Sequence, residues 1–163
     1  MNQRKAFTLI EIMIVVVIIG LLAIALFPKL MGAIGKTSDA ARKIEISNWA
    51  TILTDYKSDH KQYPVSSGAC LDESFVSQHN ISLDANRMPK DPNPNNETKG
   101  CRGYFWYKSI PGNGIDNNSY VIAVKMENVS KGNYNDDPAN IQNAESFSPS
   151  TTGGQYYVDI GLK

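Results

Sequence analysis

Phe7-Thr8-Leu9-Ile10-Glu11-Ile12-Met13-Ile14-Val15-Val16-Val17-Ile18-Ile19-Gly20-Leu21-Leu22-Ala23 is the stretch on which the reading of this chain turns. From Ile12 to Phe27 it runs for sixteen residues without a polar side chain. Phe7 to Phe27 is 21 residues, about 31 Å of helix at roughly 1.5 Å per residue. A bilayer's hydrocarbon core is about 30 Å thick, so the length predicts one membrane span. A single carboxylate, Glu11, stands at its edge. A charged residue deep in the bilayer costs about 2.5 to 3.5 kcal/mol. An acid in this place predicts a partner inside the membrane, and hence a specific assembly.

Ahead of the run lies a short basic head, Met1-Asn2-Gln3-Arg4-Lys5-Ala6. Arg4 and Lys5 hold that end on the cytoplasmic side, which turns the rest of the chain outward. An uncleaved signal anchor would read the same way. A cleavable secretory signal fits poorly, because Phe27-Pro28-Lys29-Leu30 follows the run in place of an A-x-A-like site.

The 163 residues allow one domain beside the anchor. Sixteen basic and sixteen acidic residues cancel, which is not the footprint of a nucleic-acid binder. The two cysteines, Cys70 and Cys101, both lie beyond the apolar run. In an oxidising compartment they read as one disulfide, with free or metal-binding thiols as the alternative. The bond would close a loop of about 30 residues, worth roughly 3–4 kcal/mol on the chain-entropy model.

Helical character continues past the membrane segment. Ile46, Trp49, Leu53 and Tyr56 recur at spacings of three and four, with Ile52 beside them, and mark one helix face. Lys43, Glu45, Asp55, Lys57 and Asp59 cover the rest. Pro28 kinks such a helix rather than ending it. Gly32 and Gly35 weaken the same region. The helix should stop near Tyr63-Pro64, since a residue before proline avoids helical angles.

Beyond Pro64 the chain becomes rich in Asn, Asp, Gly, Ser and Pro, the residues of turns. Three strand-like runs lie among them, Gly103 to Lys108, Tyr120 to Met126 and Gln155 to Ile160. In the second, Tyr120, Ile122, Val124 and Met126 share a face. Pro111-Gly112-Asn113-Gly114 supplies a turn between the first two runs. Short links favour antiparallel pairing. The expected fold class is therefore α+β, a long N-terminal helix packed against a small antiparallel sheet. Residues 68–100 read as an irregular connection and 127–154 as a second polar loop.

The string Lys5-Ala6-Phe7-Thr8-Leu9-Ile10-Glu11, with the apolar run behind it, resembles the N-terminus of a type IV pilin or related pseudopilin. The resemblance implies that residues 1–6 are a leader removed by a prepilin peptidase. The cut would fall between Ala6 and Phe7, leaving an N-methylated Phe7. Where the family usually has Gly before the cut, this chain has Ala6, also small. Glu11 would pair with the N-terminal amine of a neighbouring subunit. Gly20 and Pro28 match the family's helix-weakening glycine and proline, so residues 21–27 would unwind on assembly. By the same resemblance, 7–62 form the long helix, 7–27 the transmembrane and filament-core part, and 63–163 the globular head.

No catalytic constellation is visible. His60 reads as a residue of the last helical turn, and His79 stands alone. Asp91-Pro92-Asn93-Pro94-Asn95-Asn96-Glu97 begins with the oxygen spacing of a calcium loop, but its prolines and the missing sixth-position Gly break that pattern. Major pseudopilins use a loop calcium, so this loop and the acids Asp136 and Asp137 are cation candidates. A solvated loop is the preferred reading of both, and no cofactor is expected. Asn80, Asn96, Asn117 and Asn128 head glycosylation-type tripeptides that chance explains in so Asn-rich a chain. The aromatic runs Tyr104 to Tyr107 and Tyr156-Tyr157 read as core.

These features predict a structural, non-enzymatic subunit of a type IV pilus. It would wait in the inner membrane, be handed to the assembly machinery and polymerise with its own kind into an extracellular filament. Adhesion, motility and DNA uptake are family possibilities, and no nucleic-acid partner is indicated. The alternative is the major pseudopilin of a type II secretion system. A membrane-anchored binding module or enzyme is the remoter rival.

Overall fold

The computed structural model describes residues 8–111, 119–143, 147–150 and 153–161, and of 27–36 the backbone alone. The chain divides into two compact units, Met1–Gly35 and Lys36–Lys163. One long helix, α1 (Leu9–His60), contributes to both.

In the first unit, every described side chain from Thr8 to Leu26 is exposed. Leu9–Leu26 is long and apolar enough to cross a membrane. A helix apolar all round is stable only where something else removes it from water.

In the second unit α1 buries a single stripe: Asp39, Arg42, Ile46, Trp49 and Leu53. Steps of three and four keep these residues on one face. Tyr56 follows in the same register, half-buried. The helix ends at His60, and Lys61 adopts the left-handed conformation (φ 65°) that closes many helices. His60 stacks on Tyr56 with ring centroids 4.0 Å apart.

The stripe packs against a four-stranded antiparallel sheet. Its strands are β1 (Ala69–Cys70), β4 (Trp106–Ile110), β5 (Ser119–Lys125) and β6 (Tyr156–Gly161), in the order β1-β4-β5-β6. A separate two-stranded ribbon pairs β2 (Glu97–Thr98) with β3 (Cys101–Arg102). Along β5, residues 120–124 are all buried, because both faces of the sheet are covered. Tyr120, Ile122 and Val124, with Met126 beyond the strand, join Ile46, Trp49, Leu53 and Tyr107 on the helix side. Val121 and Ala123 face the other way, with Trp106, Ile110, Val158 and Ile141. Tyr134, Ala139 and Phe147 close that second cluster. The segment expected to be a polar loop thus supplies a hydrophobic lid, held by short 3-10 turns at Val129–Lys131 and Pro138–Asn140.

Polar atoms at the core are paired. The Trp49 Nε1–H donates to the Pro89 carbonyl at 3.0 Å, and the Tyr107 hydroxyl donates to the Pro64 carbonyl at 2.7 Å.

The structure also corrects the strand bounds and the reading of one connection. The first strand begins at Trp106 rather than Gly103, because Gly103 sits at φ 73° in a bend and a Cβ there would press on the Pro94 carbonyl at 3.2 Å. The connection 68–100 is not irregular throughout: it contains β1 and a short helix, α2 (Glu73–Gln78), whose first turn is capped by the Asp72 carboxylate accepting the Phe75 N–H at 3.0 Å. Phe75 is buried in the main core, which holds this short helix down. The second and third strands are each shifted by one residue, to Ser119–Lys125 and Tyr156–Gly161. The turn expected at Pro111-Gly112-Asn113-Gly114 lies outside the described residues from Gly112 on.

Cys70 and Cys101 are bonded, Cα to Cα 5.2 Å, and tie the short edge strand β1 to the ribbon. β1 is only two residues long and cannot hold its place by pairing alone. Replacing both cysteines by serine should lower the unfolding free energy by about 3 kcal/mol. Guanidinium unfolding of the detergent-solubilised chain, followed by tryptophan fluorescence, checks this; an unchanged midpoint contradicts it.

Candidate functional site

The N-terminal segment starts as the sequence dictates. Thr8 precedes the first helical residue, and its Oγ1 accepts the Glu11 N–H at 3.4 Å. Thr8-x-x-Glu11 has the spacing of a capping box, a helix-start signal legible in the sequence. Glu11 lies in the first turn of α1, where a negative charge complements the helix dipole. Its side chain is exposed. Ala6 and Phe7 lie outside the described residues. Gly20 and Pro28 both fall within α1, whose helical backbone runs through 21–27. A Cβ at Gly20 would meet nothing within 4 Å.

A second constellation, not among the residues singled out in the sequence, surrounds Arg42. Arg42, fully buried, is surrounded by three carboxylates. Its Nη1 donates to Asp39 Oδ1 at 2.6 Å, and its Nη2 to Glu127 Oε1 at 2.8 Å. Its Nε donates to both oxygens of Asp91, at 3.1 and 2.9 Å. Asp39 in turn accepts the backbone N–H groups of Glu127 and Asn128, at 3.0 and 2.9 Å. Asp91 also accepts the Asn93 N–H at 2.8 Å and the Asn96 Nδ2–H at 2.7 Å. Asn93 Nδ2 donates to Glu127 at 3.1 Å. The cluster joins the helix, the 91–97 loop and the turn that follows β5.

Burial opposes the Arg42 charge, but hydrogen bonds to Asp91, Glu127 and Asp39 outweigh it and raise its pKa above the ordinary value. The same pairing works in reverse on Glu127. Its bond from Arg42 holds its carboxyl below the usual range, with burial opposing and Asn93 adding.

The signal for this cluster was in the pattern. Asp39 and Arg42 continue the Ile46–Trp49–Leu53 spacing backward, and polar residues in register with a buried stripe are buried with it. Asp91 is therefore not in a solvated loop, as expected above; it is buried and fully bonded. Asp137 pairs with Lys99 at 2.5 Å and caps a 3-10 turn through the Ala139 N–H at 2.9 Å. Among the described residues, no group of three or more His, Cys, Asp and Glu is placed to hold a metal ion. His79 caps α2, and burial lowers its pKa. Asn96 spends its side-chain N–H groups on Asp91 and the Lys125 carbonyl, whereas Asn80 is exposed. Asn117 lies outside the described residues.

Residues 1–27 match the family described as the prokaryotic N-terminal methylation motif. The chain is also 35% identical over 100 residues to the type II secretion system core protein G of Escherichia coli K12, a match covering 56% of this chain and 68% of that protein. The chain belongs to the pilin and pseudopilin family. The core protein G of Vibrio cholerae is 32% identical over 111 residues, covering 68% of this chain and 65% of the relative. That of Klebsiella michiganensis is 31% identical over 90 residues, covering 55% and 62%. The chain thus spans about two thirds of the length of these relatives. No solved structure matches it. The motif and the apolar helix together mark this pseudopilin relative as a membrane-anchored precursor.

Arg42→Met leaves Asp39 and Asp91 buried without their cation, a loss of about 3–5 kcal/mol. Arg42→Lys should recover only part, because one ammonium cannot span three carboxylates. Chemical unfolding of the three proteins measures both. The pH dependence follows from Glu127, whose folded pKa lies below its ordinary value of 4.5. Its contribution is complete above about pH 4.5 and is lost as pH falls through the folded value. Stability of the native chain should fall in that acid window more steeply than that of Glu127→Gln.

Proposed function

We propose that this chain is a structural subunit of a type II secretion pseudopilus, acting by polymerisation rather than catalysis. The observation that carries the reading is the match to core protein G, which reaches beyond the N-terminal motif into the head. The type IV pilus read from the N-terminus has the same processing and assembly chemistry, and the relatives favour the secretion filament.

On this reading residues 1–6 are the leader. A prepilin peptidase cuts between Ala6 and Phe7, and Phe7 becomes the methylated first residue. The 7–27 segment rests in the membrane and then forms the filament core, with the domain built on the rest of the helix and 63–163 outside it. Moving an apolar helix from lipid to a bundle of like helices has little hydrophobic driving force, so packing and polar pairs direct it. Glu11, exposed in the single chain, would find the Phe7 amine of a neighbour. That pair fixes register even if its net stabilisation is small. Pro28 has no N–H to offer the Ile24 carbonyl, and Gly20 lowers helix preference at the other end. The 21–27 stretch can therefore unwind once neighbouring subunits shield its backbone.

Deleting the gene in its host should abolish export of type II secretion substrates while surface pili persist. Loss of the pili with secretion intact would overturn the pseudopilus in favour of the pilus. Glu11→Ala should insert in the membrane and yield at least tenfold less filament (about 1.4 kcal/mol per tenfold). Normal filament from that variant would contradict the pairing. Peptide mass spectrometry of assembled material should find N-methyl-Phe7 and no Met1.

A further inference from the structure

β6 is an edge of the four-stranded sheet. An edge strand presents a row of N–H and C=O groups with which a second chain can pair. β6 (Tyr-Tyr-Val-Asp-Ile-Gly) is rich in strand-forming residues and has neither proline nor lysine, two usual guards of an edge.

The outward groups of Tyr156 and Val158 on β6 are closed in an unusual way. At Tyr156 the closure is backbone: Tyr134 N–H donates to the Tyr156 carbonyl at 3.0 Å, and Tyr156 N–H to the Tyr134 carbonyl at 2.8 Å. An antiparallel strand would next bring residue 132 opposite Val158. Here the chain leaves at Gly132, which crosses Gly154 so closely that a Cβ on Gly132 would collide with the Gly154 carbonyl oxygen. The Asn133 side chain fills the vacated rung. Its Nδ2 donates to the Val158 carbonyl at 2.9 Å, and its Oδ1 accepts the Val158 N–H at 2.7 Å. A primary amide offers the same donor and acceptor pair as a peptide group. The Asn133 carbonyl accepts the Ser150 N–H at 2.8 Å, which anchors the residue from its other side.

We propose that Asn133 is a built-in stop against strand addition. Its amide stands in for a neighbouring strand on Val158 and keeps the β6 edge of one copy from pairing with the β6 edge of a second copy. Two identical edges related by a twofold axis are self-complementary, so another copy of this chain is the partner the stop excludes. The inference does not depend on which filament the chain builds.

The test uses the full-length chain in detergent, as an equal mixture of differently labelled copies. Asn133→Ala frees both groups of Val158. Its N–H should exchange about tenfold faster, and nuclear Overhauser contacts between β6 backbones of different copies should appear and grow with concentration. Contacts of that kind are blind to association through the membrane helix. Asn133→Leu, close to asparagine in size, also leaves both groups of Val158 without a partner, should show the same contacts, and decides the matter if the alanine variant does not fold. Asn135, on the same loop, bonds Gly153 and Gln155 but not Val158. Asn135→Ala should show no contacts between copies, like the native chain. Absence of such contacts in the Asn133 variants, whatever their exchange rates, overturns the proposal. Equal contacts in Asn135→Ala overturn it too, since loop loosening would then suffice.

Discussion

One guanidinium with three carboxylates around it holds the head of this protein in register. A helix with a purely apolar stripe can slide by a turn against a sheet and still bury much the same area. The stripe on α1 begins with Asp39 and Arg42, and these tolerate no such shift. Each ion pair of Arg42 reaches a different part of the chain: its own helix, the 91–97 loop, and the turn after β5. A displaced helix would leave buried charges unpaired, at a cost of several kcal/mol. The apolar residues supply most of the driving force for folding, and the cluster selects one arrangement among those they permit.

The two units differ in what they can bury. In the head, the α1 stripe and both faces of β5 are covered by the chain itself, down to Tyr134, Ala139, Ile141 and Phe147 on the far side of the sheet. The described side chains of Leu9–Leu26 have no such cover. Such a segment requires lipid first, and a filament of like helices offers it a second environment. A precursor held in a membrane until it polymerises is the state this division of the chain makes natural.

The long elements were readable from the sequence because their patterns are long. α1 shows its stripe from Ile46 to Tyr56, about three turns, and Tyr120, Ile122, Val124 and Met126 show which side of β5 meets it. What escaped the sequence is short or non-local. α2 spans six residues and rests on one cap, Asp72, and one anchor, Phe75. Arg42 and Asp91 lie 49 residues apart, and nothing near either one names the other. Asp91 looked like a solvated acid because the loop around it is polar; its burial is decided by the helix that reaches it. Asn133 is plainer still, since only the fold brings its amide opposite Val158. The motif around Glu11, by contrast, is local and specific, and is legible within residues 1–27.

The measurement that bears most directly on this account is a double-mutant cycle between Arg42 and Asp91. Unfolding free energies of the native chain, Arg42→Met, Asp91→Asn and the pair together would give their coupling. If the cluster sets the register, the coupling should be about 2 kcal/mol or more, with the double variant much less damaged than the single effects predict. Additivity within about 0.5 kcal/mol would show that the two residues act independently, and that the apolar stripe alone positions the helix.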